Sequence, residues 1–201
     1  MSTAAVILAA GAARRAGGPK TVWPLAGQPA VRRVALAALG AAEVTETIVV
    51  CGGPWAEEVR AALAGLKLKL VFNPNSATGQ ASSLAAGLAA LGPEIRAVIF
   101  LLADQPFMTS QIIDDLLEFY QKSGMSLAAP FFRGRRRNPV VFALERWRAE
   151  LMGLSGDQGG RGLIDGHSGE LALWPCDGLP EKCFRDFDSP EDYESLRHEE
   201  F

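Results

Sequence analysis

The chain has 201 residues, a formal net charge of -3, 48% hydrophobic residues and 21% charged ones. That is the make-up of one globular α/β domain with ample material for a core. The acidic balance gives no global electrostatic case for nucleic acid, so anion binding has to be local, and no apolar run approaches the ~20 residues of a membrane span. Cys51, Cys176 and Cys183 have neither C-x-x-C nor metal-ligand spacing, which suits a reducing cytoplasm. With His167 and His198 the only histidines, a histidine metal site or a His-driven triad is disfavoured. The N-terminus lacks the basic stretch of a signal peptide.

Residues 4–10 form an apolar run that predicts a first strand. Pro29 to Leu39 has apolar residues at helical spacing, with Pro29 in the first turn and Gly40 at the end. Strands are predicted at 47–51 and 68–72, with a helix over 54–63 between them and a helix over 80–91 after the polar loop 73–79. Residues 97–103 (AVIFLLA) are apolar throughout and predict a central strand covered on both faces. Thr109 caps a helix running to about Lys122. To this point the alternation indicates a parallel sheet with right-handed crossovers. Strands at 126–130, 139–143 and 171–174, a helix at 144–151 and a last helix behind Ser189–Pro190 complete the chain. No linker or repeat divides it, so residues 1–201 read as one domain.

In an open α/β sheet, ligands sit beyond the carboxyl ends of the strands. The first strand delivers Leu8–Ala9–Ala10–Gly11 and a small, glycine-rich, cationic stretch ending at Lys20. Backbone N–H groups there, with Arg15 and Lys20, suit a polyphosphate; an ordinary strand-to-helix loop is the plain alternative. Pro19 before Lys20 excludes a P-loop, and Gly11-Ala-Ala-Arg excludes G-x-G-x-x-G. Asp104 ends the strand 97–103 and either carries Mg²⁺ or caps the turn before Pro106. Asp186 and Asp188, read as diverging to opposite faces of an extended segment, leave Asp188 as the second metal ligand. Residues 73–83 put Ser82 and Ser83 where a base edge would be read, or simply lead into a helix. Arg133, Arg135, Arg136 and Arg137, followed by Asn138, form a solvated loop or serve a second anionic substrate. Asp157 and its flanking glycines mark either a close backbone approach or a helix start.

Six segments in order (LAAGAARRAGGPK, NPNSATGQASSLAAGL, LLADQP, GRRRNPVVF, LSGDQGGRGLI and FRDFDSPEDY) resemble the molybdenum cofactor cytidylyltransferases of the nucleotidyltransferase superfamily. The resemblance implies a three-layer, Rossmann-like fold with a mostly parallel mixed sheet, of the nucleotide-diphospho-sugar transferase type. It implies a nucleotide-binding part at about 1–110 and an acceptor-binding part at about 111–201. The implied reaction takes CTP and a molybdopterin-type cofactor to the cytosine dinucleotide and pyrophosphate with Mg²⁺, and an apo-molybdoenzyme of the xanthine dehydrogenase class is an implied partner. Leu8, Ala9, Ala10 and Gly11 would lie along the nucleotide, Arg15 and Lys20 on the triphosphate, and Gly79, Ser82 and Ser83 at the base. Asp104 and Asp188 would hold Mg²⁺; Arg135, Asn138 and Asp157 would face the acceptor. Related guanylyltransferases usually have Gly where Ala10 stands, which favours cytidine. The family usually has Ser where this chain has Ala13, which removes one hydroxyl from the phosphate loop.

Overall fold

Alternating burial along the strands decides the layering. In the first strand, β1 (Thr3–Ala9), the side chains of Ala5, Ile7 and Ala9 join one buried cluster and those of Ala4 and Val6 another. Successive strand residues point to opposite faces, so a strand buried on both sides must be covered twice. The computed structural model describes residues 1–11, 18–157 and 159–197. After β1 come a short hairpin, β2 (Pro24–Leu25) and β3 (Gln28–Pro29), then α1 (Ala30–Gly40), β4 (Glu46–Gly52), α2 (Ala56–Ala62), β5 (Lys69–Asn73), α3 (Gln80–Ala89), β6 (Ala97–Leu102) and α4 (Ser110–Ser123). The second part holds β7 (Leu127–Phe132), β8 (Arg135–Arg136), β9 (Val140–Ala143), α5 (Leu144–Met152), α6 (Arg161–Gly166), β10 (Leu171–Pro175) and α7 (Pro190–Arg197).

The described residues form an eight-stranded sheet with the order β10-β7-β9-β6-β1-β4-β5, and β8 pairs with β7. β6 lies at its middle and is buried from Ala97 to Leu101, as its unbroken apolar run predicts. β1, β4, β5 and β6 are mutually parallel, whereas β9 runs antiparallel to β6 and β7. A parallel return needs a crossover of a dozen or more residues. The short connection from Phe132 to Val140 cannot supply one, so the chain folds back as a hairpin and the sheet is mixed.

Val31 and Val34 of α1, Val59 of α2, and Ile113 and Leu116 of α4 cover one face. Leu84 and Leu88 of α3, Trp147 and Leu151 of α5, and Ile164 of α6 cover the other. This is the expected three-layer arrangement. A glycine permits the close approach of α3: a Cβ on Gly87 would lie 2.5 Å from Cγ1 of Val6. Gly87→Ala is therefore expected to lower stability by ~1–3 kcal/mol, the usual cost of overpacking, and denaturant melts of the two proteins would show it.

The predicted elements match the observed ones to within a few residues, and Thr109 caps α4 by accepting from the Ile112 N–H. The helix expected from Pro54 starts instead with a 3₁₀ turn over Gly53–Trp55. The β2–β3 hairpin and β8 lie outside those predictions, because strands of two residues have no periodicity to read. A small third cluster ties the ends of the chain together: Leu25, Phe107, Phe187 and Leu196 pack with Trp23 and Tyr193. Ser189 and Asp192 cap α7 reciprocally, each backbone N–H bonding the other's side chain at 3.1 Å. The Tyr193 hydroxyl donates to the Pro24 carbonyl at 2.7 Å. These contacts hold the segment before α7 against the β2–β3 hairpin.

Candidate active site

Because β1, β5 and β6 are parallel, the segments leaving their carboxyl ends open on one edge of the sheet. A cleft of about 490 Å³ lies there, lined by Leu8 at the end of β1 and Ala10 and Gly11 after it, by Gly79 and Ser83 after β5, and by Asp104 after β6. Lys20, Asp157 and Asp188 complete its walls. Of the residues expected to serve nucleotide and metal, Leu8, Ala10, Gly11, Lys20, Gly79, Ser83, Asp104 and Asp188 thus share one cleft. Ala9 is buried and points away into the core on the α1 side.

Lys20 is the hub. A 3₁₀ turn over Lys20–Val22 holds its backbone, and Trp23 packs beside Gly18. Its Nζ donates to Oδ2 of Asp104 at 2.7 Å, to Oδ1 of Asp188 at 2.6 Å and to the carbonyl of Phe187 at 2.9 Å. Burial alone would lower the lysine pKa, but attraction by the two carboxylates outweighs it and the net shift is upward. Burial likewise raises the Asp104 carboxyl; Lys20 opposes that rise only in part, and Asp186 adds to it. Asp104 is held where its negative charge is under-compensated.

Three oxygens converging on one positive charge form a hard donor set of the kind Mg²⁺ or Mn²⁺ takes. Among the described residues no group of three or more His, Cys, Asp or Glu side chains assembles. Such a site supplies two carboxylates and a carbonyl and leaves the other positions to phosphate and water, the usual habit of Mg²⁺.

Asp186 and Asp188 do not diverge, contrary to the expectation from their spacing. Residues two apart on an extended segment share a face, and Phe187 between them is the one turned into the core. Asp188 reaches Lys20, while Asp186 lines an adjoining cavity and bears on Asp104. Both carboxylates therefore belong to the site.

The loop after β5 is organised by the buried Asn73. Its Nδ2 donates to the hydroxyls of Ser82 at 2.9 Å and Ser83 at 3.0 Å, and its Oδ1 accepts from the N–H of Asn75. Ser82 is turned into the loop, its hydroxyl directed at the carbonyls of Gly79 and Asn75, and it does not line the cleft. Ser83 does, and accepting from Asn73 leaves its hydroxyl still able to donate.

Gly79 has a φ of +115°, and a Cβ there would lie 2.3 Å from the carbonyl carbon and oxygen of Gly156. The Gly156 carbonyl accepts from the N–H of Ala81 at 3.1 Å. The close backbone approach expected around Asp157 is therefore made onto the loop after β5, and the same segment also leads into α6 at Arg161. Gly79→Ala is expected to cost ~1–3 kcal/mol and to push the two loops apart, so that nucleotide affinity falls while the sheet core persists. Thermal melting and nucleotide titration of the variant read both effects.

A second cavity, of about 450 Å³, adjoins the first and shares Leu8, Gln80, Leu102 and Asp157 with it. Of the basic loop, Arg136, Arg137 and Asn138 line it. Arg135 is exposed on the edge strand β8, paired to Phe132, and lies outside that lining. Arg15 and Ala13 lie outside the described residues.

The model for the MobA-like NTP transferase domain matches residues 5–171. The chain belongs to the MobA-like NTP transferase family. No curated protein matches it in sequence. Among solved structures, it is similar to Rv0371c from Mycobacterium tuberculosis H37Rv (TM-score 0.84, 24% identity, 99% of each chain covered). That protein is also known as a complex with manganese (TM-score 0.79, 24% identity, 98% of each chain). A nucleotidyl transferase from Methanothermobacter thermautotroptrophicus has a TM-score of 0.81 at 23% identity, over 98% of this chain and 96% of that one. A CMP:2-keto-3-deoxy-manno-octonic acid synthetase complexed with CTP has a TM-score of 0.75 at 15% identity, over 98% and 97%. This member of the MobA-like family thus shares the nucleotidyltransferase fold over its whole length. Among its described residues no helix is long and apolar enough to cross a membrane.

Two features of the site have little signature in the sequence: the Phe187 carbonyl and the Asn73 side chain. The first leaves no signal, since any residue supplies a carbonyl. The second is legible in part, because an Asn at a strand end before Pro-Asn invites a side-chain turn.

Proposed function

We propose that the protein transfers CMP from CTP to a molybdopterin-type cofactor with Mg²⁺, releasing pyrophosphate. The observation that carries the reading is the convergence of Asp104, Asp188 and the Phe187 carbonyl on Lys20, at the floor of a cleft walled by the Gly79–Ser83 loop. The family supports nucleotidyl transfer, and the small, buried Ala10 favours cytidine by the resemblance of its motif. On this reading residues 1–110 mainly serve the nucleotide and residues 111–201 the acceptor, with an apo-molybdoenzyme of the xanthine dehydrogenase class receiving the product.

The acceptor's phosphate oxygen attacks the α-phosphorus of CTP in line, and pyrophosphate leaves with the electron pair of the broken bond. The protein's part is positioning and charge neutralisation. Gly11 and its neighbours approach the phosphates through their backbone. Lys20 exchanges its carboxylate partners for phosphate oxygens as nucleotide enters, with Arg15 proposed on the β- and γ-phosphates. Asp104 and Asp188 would hold Mg²⁺, which when bound offsets charge on the phosphates and the departing pyrophosphate. Ser83 reads the base edge. Gln80 and Asp157 form the shared wall that keeps the two substrates in contact.

Pyrophosphate release measured across the four NTPs, with and without molybdopterin, tests this. Release that requires CTP and molybdopterin together is expected. Release with GTP, or with a sugar or polyol phosphate as acceptor, would move the protein to another branch of the family. Tight CTP and cofactor binding without turnover would make it a delivery protein for a molybdoenzyme.

A further inference from the structure

The second cavity contains a charge whose partner is missing. Arg136 is neutralised, its Nη1 lying 2.8 Å from Oδ1 of Asp165. Arg137 differs. Its backbone is pinned, the N–H donating to the Pro130 carbonyl at 2.9 Å, and its guanidinium lies over the Phe132 ring at 6.0 Å. Its Nε is buried and has no hydrogen-bond partner, and among the described residues no carboxylate pairs with it. Arginine cannot relieve such a position by losing its proton. Folding alone does not explain a guanidinium left this way, because an unsatisfied buried donor of a charged group costs stability.

The position of Arg137 indicates what would satisfy it. The β6–β9 ladder ends at the pair Phe100–Val140. Asp104 lies just beyond that end on one strand and Arg137 just before it on the antiparallel neighbour, so both emerge at the same edge. Arg137 lines the second cavity together with Asp186, Asp157 and Arg161, and that cavity shares Leu102 and Asp157 with the cleft that Asp104 lines. The unpaired cation therefore stands on the acceptor side of the reaction centre.

We propose that Arg137 is the residue that receives the acceptor's nucleophilic phosphate monoester. This rests on the nucleotidyl-transfer reading above and adds to it the residue that holds the attacking phosphate. An unprotonated phosphate oxygen forms the new bond to the α-phosphorus, the bond from that phosphorus to the bridging oxygen breaks, and the electron pair leaves on pyrophosphate. No proton has to move at the α-phosphorus, so no general base is required. The guanidinium offers a planar fork to the phosphate and favours its fully ionised, most nucleophilic form.

The test compares the full-length wild type with Arg137→Met and Arg137→Lys. The nucleotide cleft is first filled with α,β-methylene-CTP and Mg²⁺, and inorganic phosphate is then titrated calorimetrically. Arg137→Met is expected to weaken phosphate binding at least about tenfold, as loss of a charge-assisted bond does. Arg137→Lys should fall between, since it keeps the charge without the fork. Affinity for the CTP analogue should stay within about twofold of wild type, because Arg137 lies outside the nucleotide cleft. In turnover the acceptor KM should rise and the CTP KM should not. Arg137→Met should also melt at the wild-type temperature or higher, since it removes an orphaned donor.

A purely structural Arg137 would give the opposite pattern, a lower melting temperature with phosphate affinity unchanged, and that result overturns the proposal. Wild-type protein that binds the CTP analogue but no phosphate overturns it as well. Protein that does not bind the analogue defeats the nucleotide reading instead, and phosphate titration of the free protein then still decides whether Arg137 holds an anion.

Discussion

Asp104→Asn is expected to lower turnover by about 10²–10³, the usual cost of removing a preorganised charge from a reaction centre, and to leave the protein as stable as before or more so. The two effects share one cause. Asp104 ends the central strand, is largely buried, and shares its cation with Asp188. Its folded pKa is raised, first by burial, so the ionised form costs stability at every pH above that raised value. The cost disappears as pH falls through it toward the ordinary 3.8. Asn keeps an oxygen toward Lys20 without the charge, so the variant's stability advantage should be largest at neutral pH and vanish in acid. Melting curves from pH 3 to 8, set beside pyrophosphate release, would show both. Wild-type turnover in Asp104→Asn would remove it from the reaction centre. A large drop in melting temperature would mean that its charge contributes to the fold.

Lys20→Met should lose turnover by a similar ~10²–10³ but should also melt lower. Here the removed group is the counter-charge. Asp104 and Asp188 would face the same space without it, and breaking a partly buried pair leaves charge uncompensated. Asp188 is 54% exposed, so solvent offsets part of that loss and the fold should survive. The pH dependence runs opposite to that of Asp104. A lysine with a raised pKa contributes stability fully below its ordinary value of 10.5, and the contribution is lost only as pH rises through the higher folded value. The wild type should therefore outlast Lys20→Met from the pH at which Asp104 and Asp188 are ionised up to about that limit. Added Mn²⁺, without nucleotide, should raise the melting temperature of Lys20→Met more than that of wild type, because the same oxygens are then free to bind it. Equal Mn²⁺ shifts in the two proteins would show that Lys20 and the metal do not share those ligands.

Much of this is legible from residue patterns. The apolar run of residues 97–103 announces a central strand ending on Asp104. Periodicity and capping place the long helices because those signals are local. Patterns fail where the deciding contact joins distant residues. Spacing puts Asp186 and Asp188 on one face, but nothing local says which way that face turns; that depends on Phe187 finding a place beside Leu25, Phe107 and Leu196. Ser82 and Ser83 look equivalent in sequence, and only the Asn73 side chain, itself positioned by β5, separates one that ties the loop from one that faces the cleft.

By itself the sequence determined the strand–helix alternation and the carboxylate at the end of β6, because backbone preference and burial pattern are written residue by residue. The tertiary structure decided the rest. It joined Lys20 to Asp104 and Asp188 across 84 and 168 residues of chain. It also turned β9 antiparallel, which carried Arg137 rather than Arg135 into the lining of the second cavity. Which charges meet depends on how the layers pack and where the hairpin returns, and no spacing along the chain encodes that.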